Sequence, residues 1–215
     1  MRRADRDGSA DPQAGIATWR PSFHTDDVLL WSRRLQELGA RAVTDDPLWT
    51  ELALPHGRVV LTGPLHGVTT DSVEIGLEVS QLDPLLAGLP DRLRPAITEH
   101  VTQFRSLRYT GPGGRELLID DRLPLNGAPP TGTAGVVVHW PVDRPEVIAA
   151  DLADLGCGQP ITTGTTIRLV ADGEIVLHPV SDCTDPWIEI EEDGRIALRL
   201  RSEEHTSELQ SPMYL

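Results

Sequence analysis

The sequence predicts an α+β protein assembled from tandem strand-helix-strand-strand-strand (βαβββ) modules. Three observations carry that reading. First, a unit repeats: Leu35-Gln-Glu-Leu38-Gly39 and "WTELALPHGRVVLTGP" (49–64) return as Leu152-Ala-Asp-Leu155-Gly156 and "TTIRLVADGEIVLHPV" (165–180). The offset is 117 at the glycines that end the helical stretch (156 − 39) and 116 at the turn glycines (173 − 57), so one deletion separates the copies. Such self-similarity marks a duplicated supersecondary unit. Second, Val28, Trp31, Leu35 and Leu38 recur at spacings of three and four, which puts them on one stripe of a helix. Ile148, Leu152 and Leu155 repeat three of these positions at +117, so the buried face is kept across the duplication. Third, each helix is followed by two short apolar runs around His56-Gly57 or Asp172-Gly173. Asp-Gly is a favoured hairpin turn because both positions accept positive φ.

Taken in order, residues 1–16 are polar and rich in Asp, Arg and Gly and read as a disordered arm. Residues 18–24 read as a strand, and Thr25-Asp26-Asp27 offers N-cap side chains to the first helix, which Gly39 closes. The hairpin pairs 50–55 with 58–62, and its later copy pairs 166–170 with 174–178. Between the copies, Val73, Ile75, Leu77 and Val79 alternate with Glu74, Gly76 and Glu78, as in a strand with one face on a helix layer. A short helix over 82–89, a strand over 102–110, a Gly-Pro-Gly-Gly turn and a strand over 115–120 continue a second module, one of whose strands the pattern does not place. The expected organisation is therefore a complete domain over 17–120, a Pro- and Gly-containing linker over 121–133, and a partial second domain over 134–200. In that partial domain, residues 187–200 are expected to hold the last strand of a third module and the first of a fourth. Residues 201–211, "RSEEHTSELQS", back-translate with ordinary codons into the start of a common sequencing-library adapter, and residues 212–215 read as its index region. They are expected to be read-through and are set aside from the fold.

Of the 215 residues 39% are apolar, enough for a packed core. The formal charge of −14 becomes −12 without residues 201–215, whose Arg201, Glu203, Glu204 and Glu208 carry −2. An acidic surface of this kind repels phosphate backbones and speaks against nucleic-acid partners. All 19 basic residues are arginine, which excludes Schiff-base chemistry through a lysine in this sequence. No apolar run approaches a membrane span and the Arg-rich start lacks a signal-peptide core, so no membrane partner and a cytoplasmic location are expected. Cys157 and Cys183 lack CxxC spacing and are expected to be free and inert.

With these residues in view, the chain resembles the vicinal oxygen chelate superfamily, which includes glyoxalase I, extradiol dioxygenases and bleomycin-resistance-type binding proteins. The resemblance rests on the helix endings "LQELG" and "LADLG", the hairpins after them, "VEIGLEVSQLDPLLAGL" (73–89) and "YTGPGGRELLID" (109–120). It implies paired modules that curl into a U-shaped mixed sheet, with helices on the convex face and a ligand on the concave face. Metal-dependent members place His, Gln or Glu near the start of each module's first strand and Glu on the last strand. Those positions fall here on Thr18 or Trp19, on Glu74 and on Leu118, and in the third module on Gly135 or Val136. Only Glu74 can ligate a cation, and one carboxylate does not make a catalytic metal site.

Arg20, Glu51, Glu74, Gln103 and Arg105 are polar side chains on predicted strands, suited to orienting a polar small molecule on a shared face or else to ordinary cross-strand pairing. Trp19, Trp49 and Trp140 stand in or beside strands and could floor a pocket or fill the core, whereas Trp31 lies on the helix stripe. His24 and His100 are candidate general bases or capping residues. His139, His178 and Glu189 form a weaker metal alternative of the two-His-one-carboxylate kind. No P-loop, GxGxxG fingerprint, Ser elbow or Cys cluster is present in the sequence.

The leading expectation is metal-independent binding of a small organic molecule in the first domain's cleft by Trp19, Arg20, Glu51, Glu74, Gln103 and Arg105, with no cofactor. One alternative is a metal-dependent lyase, isomerase or dioxygenase with its ligands in the second domain; the other is a non-catalytic interaction module. Homo-oligomerisation is left open.

Overall fold

The computed structural model describes residues 17–44, 46, 48–63, 70–101, 105–122, 124–125, 128–180 and 185–201. The first part of the chain supplies β1 (Thr18–Trp19), β2 (Ser22–His24), α1 (Val28–Glu37), β3 (Arg41–Ala42), β4 (Trp49–Ala53) and β5 (Arg58–Thr62). It continues with β6 (Ser72–Glu74), β7 (Gly76–Val79), α2 (Leu82–Gly88), β8 (Ile97–Val101), β9 (Arg105–Thr110) and β10 (Glu116–Asp121). The second part supplies β11 (Gly135–Val142), α3 (Pro145–Asp154), β12 (Ile161–Thr163), β13 (Thr166–Ala171), β14 (Gly173–Pro179), β15 (Trp187–Glu192) and β16 (Arg195–Leu200).

The strand expected over 18–24 is interrupted at Arg20-Pro21, because proline has no N–H to give to a ladder. One antiparallel register nevertheless runs through both halves, with Thr18 opposite Glu78 in β1 and β7 and Ser22 opposite Glu74 in β2 and β6. The sheets ordered β3-β4-β5-β2-β6 and β1-β7-β10-β9-β8 are therefore joined through these two interrupted strands into one curved surface. Each module's first strand runs parallel to its last, β2 beside β5 and β7 beside β10, which is the geometry a crossover helix imposes.

Asp27 caps α1 by accepting a hydrogen bond from Leu30 N at 2.9 Å, and Val28 and Leu35 are buried as the stripe requires. The helices cover the convex face, where Phe23, Leu52, Leu61, Leu77, Leu107, Tyr109, Leu117 and Ile119 form one buried cluster with Leu35 and Leu82. Trp19 belongs to this cluster and is 0% exposed, which corrects its expected place in a ligand pocket. It stands on the helix side of the strand, where burial of a large ring is most favourable.

The second sheet is ordered β12-β13-β14-β11-β15-β16 and repeats the layout of the first. Its third module is complete with β14, so residues 187–200 are not a last strand followed by a new first strand, as the sequence suggested. Instead β15 and β16 form a hairpin beyond the module. There β15 pairs with β11 as the β6 and β7 strand pairs with β1 and β2, and β16 runs antiparallel to it. Short β3 and β12 occupy the polar breaks after the helices.

The repeat also explains how the two domains meet. His56 N donates to Ala134 O and Val136 N to His56 O, at 3.3 and 2.8 Å. The equivalent turn residue Asp172 donates from N to Ala17 O at 3.0 Å and accepts from Trp19 N at 2.9 Å. Each hairpin turn thus pairs with the other module's first strand, a reciprocal contact of the kind found across a twofold axis. Away from this axis, the buried Tyr109 hydroxyl donates to Asp151 Oδ2 on α3 at 2.6 Å, and Arg92 pairs with Asp151 and Asp154. Burial first, then the bond to Asp151, pushes the Tyr109 phenol well above its ordinary range.

Candidate functional site

The pleat sends the alternate side chains of β4, β5, β7 and β10 to the concave face, and Glu51, Arg58, Glu78 and Asp120 are among them. Arg20 reaches Glu51 (Nη2 to Oε2, 2.9 Å), Glu78 (Nε to Oε1, 3.2 Å) and Asp120 (Nη1 to Oδ2, 3.1 Å). Arg58 Nη1 meets Glu51 Oε1 at 2.7 Å and Glu78 Oε2 at 3.1 Å. Glu51 and Glu78 are both 0% exposed, and Arg58 is almost as deeply buried. Two guanidinium groups here face three carboxylates. Burial, followed by the charge of Glu51, raises Glu78 to about 7 against the pull of Arg58, Arg20 and Arg122. The Arg20 guanidinium also lies 5.9 Å from the Trp49 ring centroid. The centre of the concave face is thus closed by its own ion pairs.

The open space lies at the end of this face, where the second domain approaches it. A cavity of about 390 Å³ is lined by His24, Ser72 and Glu74 of the first strands, by Arg115 and Glu116 at the start of β10, and by Trp140 and Pro186 of the second domain. Glu74 and Glu116 are about half exposed. His24 is 7% exposed, its Nε2 lies 3.8 Å from Glu74 Oε2, and its buried Nδ1 has no hydrogen-bond partner among the described residues.

The second domain carries a different cluster on the equivalent face. His139 Nδ1 lies 2.9 Å from His178 Nε2, and His139 Nε2 lies 3.1 Å from Glu189 Oε2. Glu189 Oε1 accepts from Trp187 Nε1 at 3.2 Å and from Arg199 Nε at 2.7 Å. The Trp187 ring stacks on His139 with centroids 4.5 Å apart. Burial acts to raise the Glu189 pKa, but the bonds and charges of His139 and Arg199 outweigh it and hold the carboxyl at about 2. Burial and the neighbouring His139 together push His178 below the ordinary histidine range.

No family model and no curated protein matches the sequence. Solved structures do match. A catechol 2,3-dioxygenase superposes with a TM-score of 0.51 at 15% identity, over 80% of this chain and 68% of that one. A fusion of a xylose isomerase-like TIM barrel with a 4-hydroxyphenylpyruvate dioxygenase superposes with a TM-score of 0.53 at 12% identity, over 83% of this chain and 36% of that one. This chain has the vicinal oxygen chelate fold. At these identities the likeness concerns the fold alone.

The vicinal oxygen chelate fold can carry a metal on its concave face, and the donors present here do not suit one. In the first domain the buried carboxylates already balance guanidinium groups, and among the described residues Glu74 has no other metal-ligating partner of the expected set. In the second domain the fold does bring His139, His178 and Glu189 together. However, His139 turns one ring nitrogen to His178 and the opposite one to Glu189. Both ring nitrogens of His139 are thus engaged within the cluster, and Arg199 against Glu189 repels a cation. Among the described residues there is no group of three or more His, Cys, Asp or Glu placed to hold a metal ion.

Of the residues singled out for ligand binding, Glu74 lines the cavity and Arg20 and Glu51 belong to the closed network behind it. Arg105 does not share that face; it pairs with Glu99 and Asp83 at 2.6 Å each, because odd-numbered positions of β9 point toward α2. Gln103 lies outside the described residues, as does Cys183, whereas Cys157 is free and buried, with its thiol pushed up by burial. The His100 side chain is likewise outside them. Sequence reasoning missed Arg58, Glu78, Asp120 and Glu116. The available signal was a charge on each of β4, β5 and β7 at the phase opposite the apolar residues.

Proposed function

We propose that this protein binds a small polar organic molecule without a metal, at the end of the first domain's concave face where the second domain lines one side of an open cavity. The observation that carries this reading is the cavity itself. Its volume of about 390 Å³ falls in the range of small-molecule sites, and its wall combines an indole with a few convergent polar groups. Glu74 and Glu116 can accept hydrogen bonds from a ligand, and Arg115 can donate them. Metal independence is supported by the chemistry of the face, whose buried carboxylates Glu51 and Glu78 are held by arginines.

The test is a melting-temperature screen of the full chain against small polar organic compounds, repeated with Glu74→Gln and Glu116→Gln. A ligand that stabilises the parent should stabilise both variants less, because binding to the folded state alone raises the melting temperature by an amount that grows with the logarithm of affinity. Equal stabilisation of parent and variants would contradict the assignment of this cavity.

A further inference from the structure

Two neighbouring strands of the first domain twice set a carboxylate beside a carboxylate. In the parallel ladder of β7 and β10, Asp120 stands beside Glu78 and Leu118 beside Gly76. The same register, carried two residues further back along both strands, sets Glu116 beside Glu74, and Leu118 N donates to Ile75 O between them at 3.0 Å. Like charges at facing positions repel. At the first pair the protein supplies the remedy itself, because the Arg20 guanidinium bridges Glu78 and Asp120 at 3.2 and 3.1 Å. At the second pair no described side chain does so. His24 Nε2 is 3.8 Å from Glu74 Oε2 and Arg108 Nη1 is 3.6 Å from Glu116 Oε2, both beyond hydrogen-bond reach. Glu74 and Glu116 both line the cavity described above, and so does Arg115, which makes no ion pair among the described residues. The rest of the wall is largely apolar, with Val73, Ile75, Trp140 and Pro186.

We propose that the ligand of this cavity is a zwitterion of the α-amino acid class with an apolar side chain, an inference that rests on reading the cavity as a small-molecule site. The ligand's ammonium group bridges Glu74 and Glu116, as the Arg20 guanidinium bridges Glu78 and Asp120. Its carboxylate accepts from Arg115, whose planar fork suits that group. Its side chain lies against Val73, Ile75, Trp140 and Pro186. An organic acid without the ammonium group would bring a third negative charge to Glu74 and Glu116. An amine without the carboxylate would leave the Arg115 guanidinium without a partner. The formal charge of −14 favours the approach of a ligand that carries a cationic end.

Calorimetric titration of the full chain in excess chelator tests this with L-leucine and L-phenylalanine as probes. Each is compared with the amine that lacks its carboxylate, isoamylamine or phenethylamine, and with the acid that lacks its amine, isocaproate or hydrocinnamate. At least one of the two amino acids should bind, and its amine and acid analogues should each bind about ten- to hundredfold more weakly, the effect of losing charge-assisted hydrogen bonds at one end. Arg115→Gln should weaken the amino acid about tenfold and leave the affinity of the amine unchanged. Glu116→Gln should weaken the amino acid and the amine but not the acid. A variant that merely disturbed the fold would weaken all three ligands alike, and that result would overturn the proposal. Binding of an acid or an amine as tightly as its amino acid would overturn the zwitterion class, yet would uphold the cavity if that binding were lost in Glu74→Gln. Failure of both amino acids to bind would overturn it too, whereas the cavity itself falls only if the compounds that stabilise the protein are indifferent to Glu74→Gln.

Discussion

Glu78 carries the clearest residue-level consequence. Its folded pKa of about 7 stands above the ordinary 4.5, so the folded state binds more protons than the unfolded state between those values. Its contribution is fully present below pH 4.5 and is lost as the pH rises to about 7. Glu78→Gln leaves two guanidinium groups facing two carboxylates, Glu51 and Asp120. The variant should therefore gain on the parent by on the order of 2–3 kcal/mol between pH 4.5 and 8 in urea unfolding. Glu51→Gln should do the opposite at neutral pH. It removes the carboxylate that bridges both arginines and should cost about 3–5 kcal/mol, as expected for breaking a buried pair. Arg20 and Glu51 were legible in the sequence as polar residues on strands. Their burial was not, because it depends on which strands become neighbours.

At the scale of elements, the hairpin turns do more than reverse the chain. Gly57 and Gly173 have φ of +92° and +88° and lie against each other, with the Gly57 Cα 3.4 Å from where a Cβ on Gly173 would stand. A Cβ on Gly57 would stand 2.8 Å from Val136 Cβ. Gly57→Ala should therefore cost about 2–4 kcal/mol, the left-handed penalty plus overpacking. Gly194→Ala serves as the control, with φ of +73° and open space around it, and should cost about 1–2 kcal/mol. Equal costs in chemical denaturation would argue against turn-to-strand docking. The helices and hairpins were legible because periodicity and turn chemistry are local signals. Strands β3 and β12 were not, since two or three residues hold no period, and neither was β8, because Ile97–Val101 has no alternating pattern.

At the scale of the whole molecule, the duplication announced the two-domain α+β architecture, while the cavity could not be read from the sequence. Its walls come from residues 24–116 on one side and Trp140 and Pro186 on the other, and contacts between distant parts of the chain, the reciprocal turn contacts among them, bring them together. No described helix is long and apolar enough to cross a membrane. Tyr109→Phe removes the buried bond to Asp151 that ties the first domain to α3 and should cost about 1–3 kcal/mol. The same variant should weaken ligand binding, because the cavity needs both domains in place. Metal-independent binding at this cavity is tested most directly by calorimetric titration of a stabilising ligand into the full chain, in excess chelator and then with a divalent cation restored. Equal affinity in both conditions, lost in Glu74→Gln, is the predicted result; binding that appears only with the cation would contradict it.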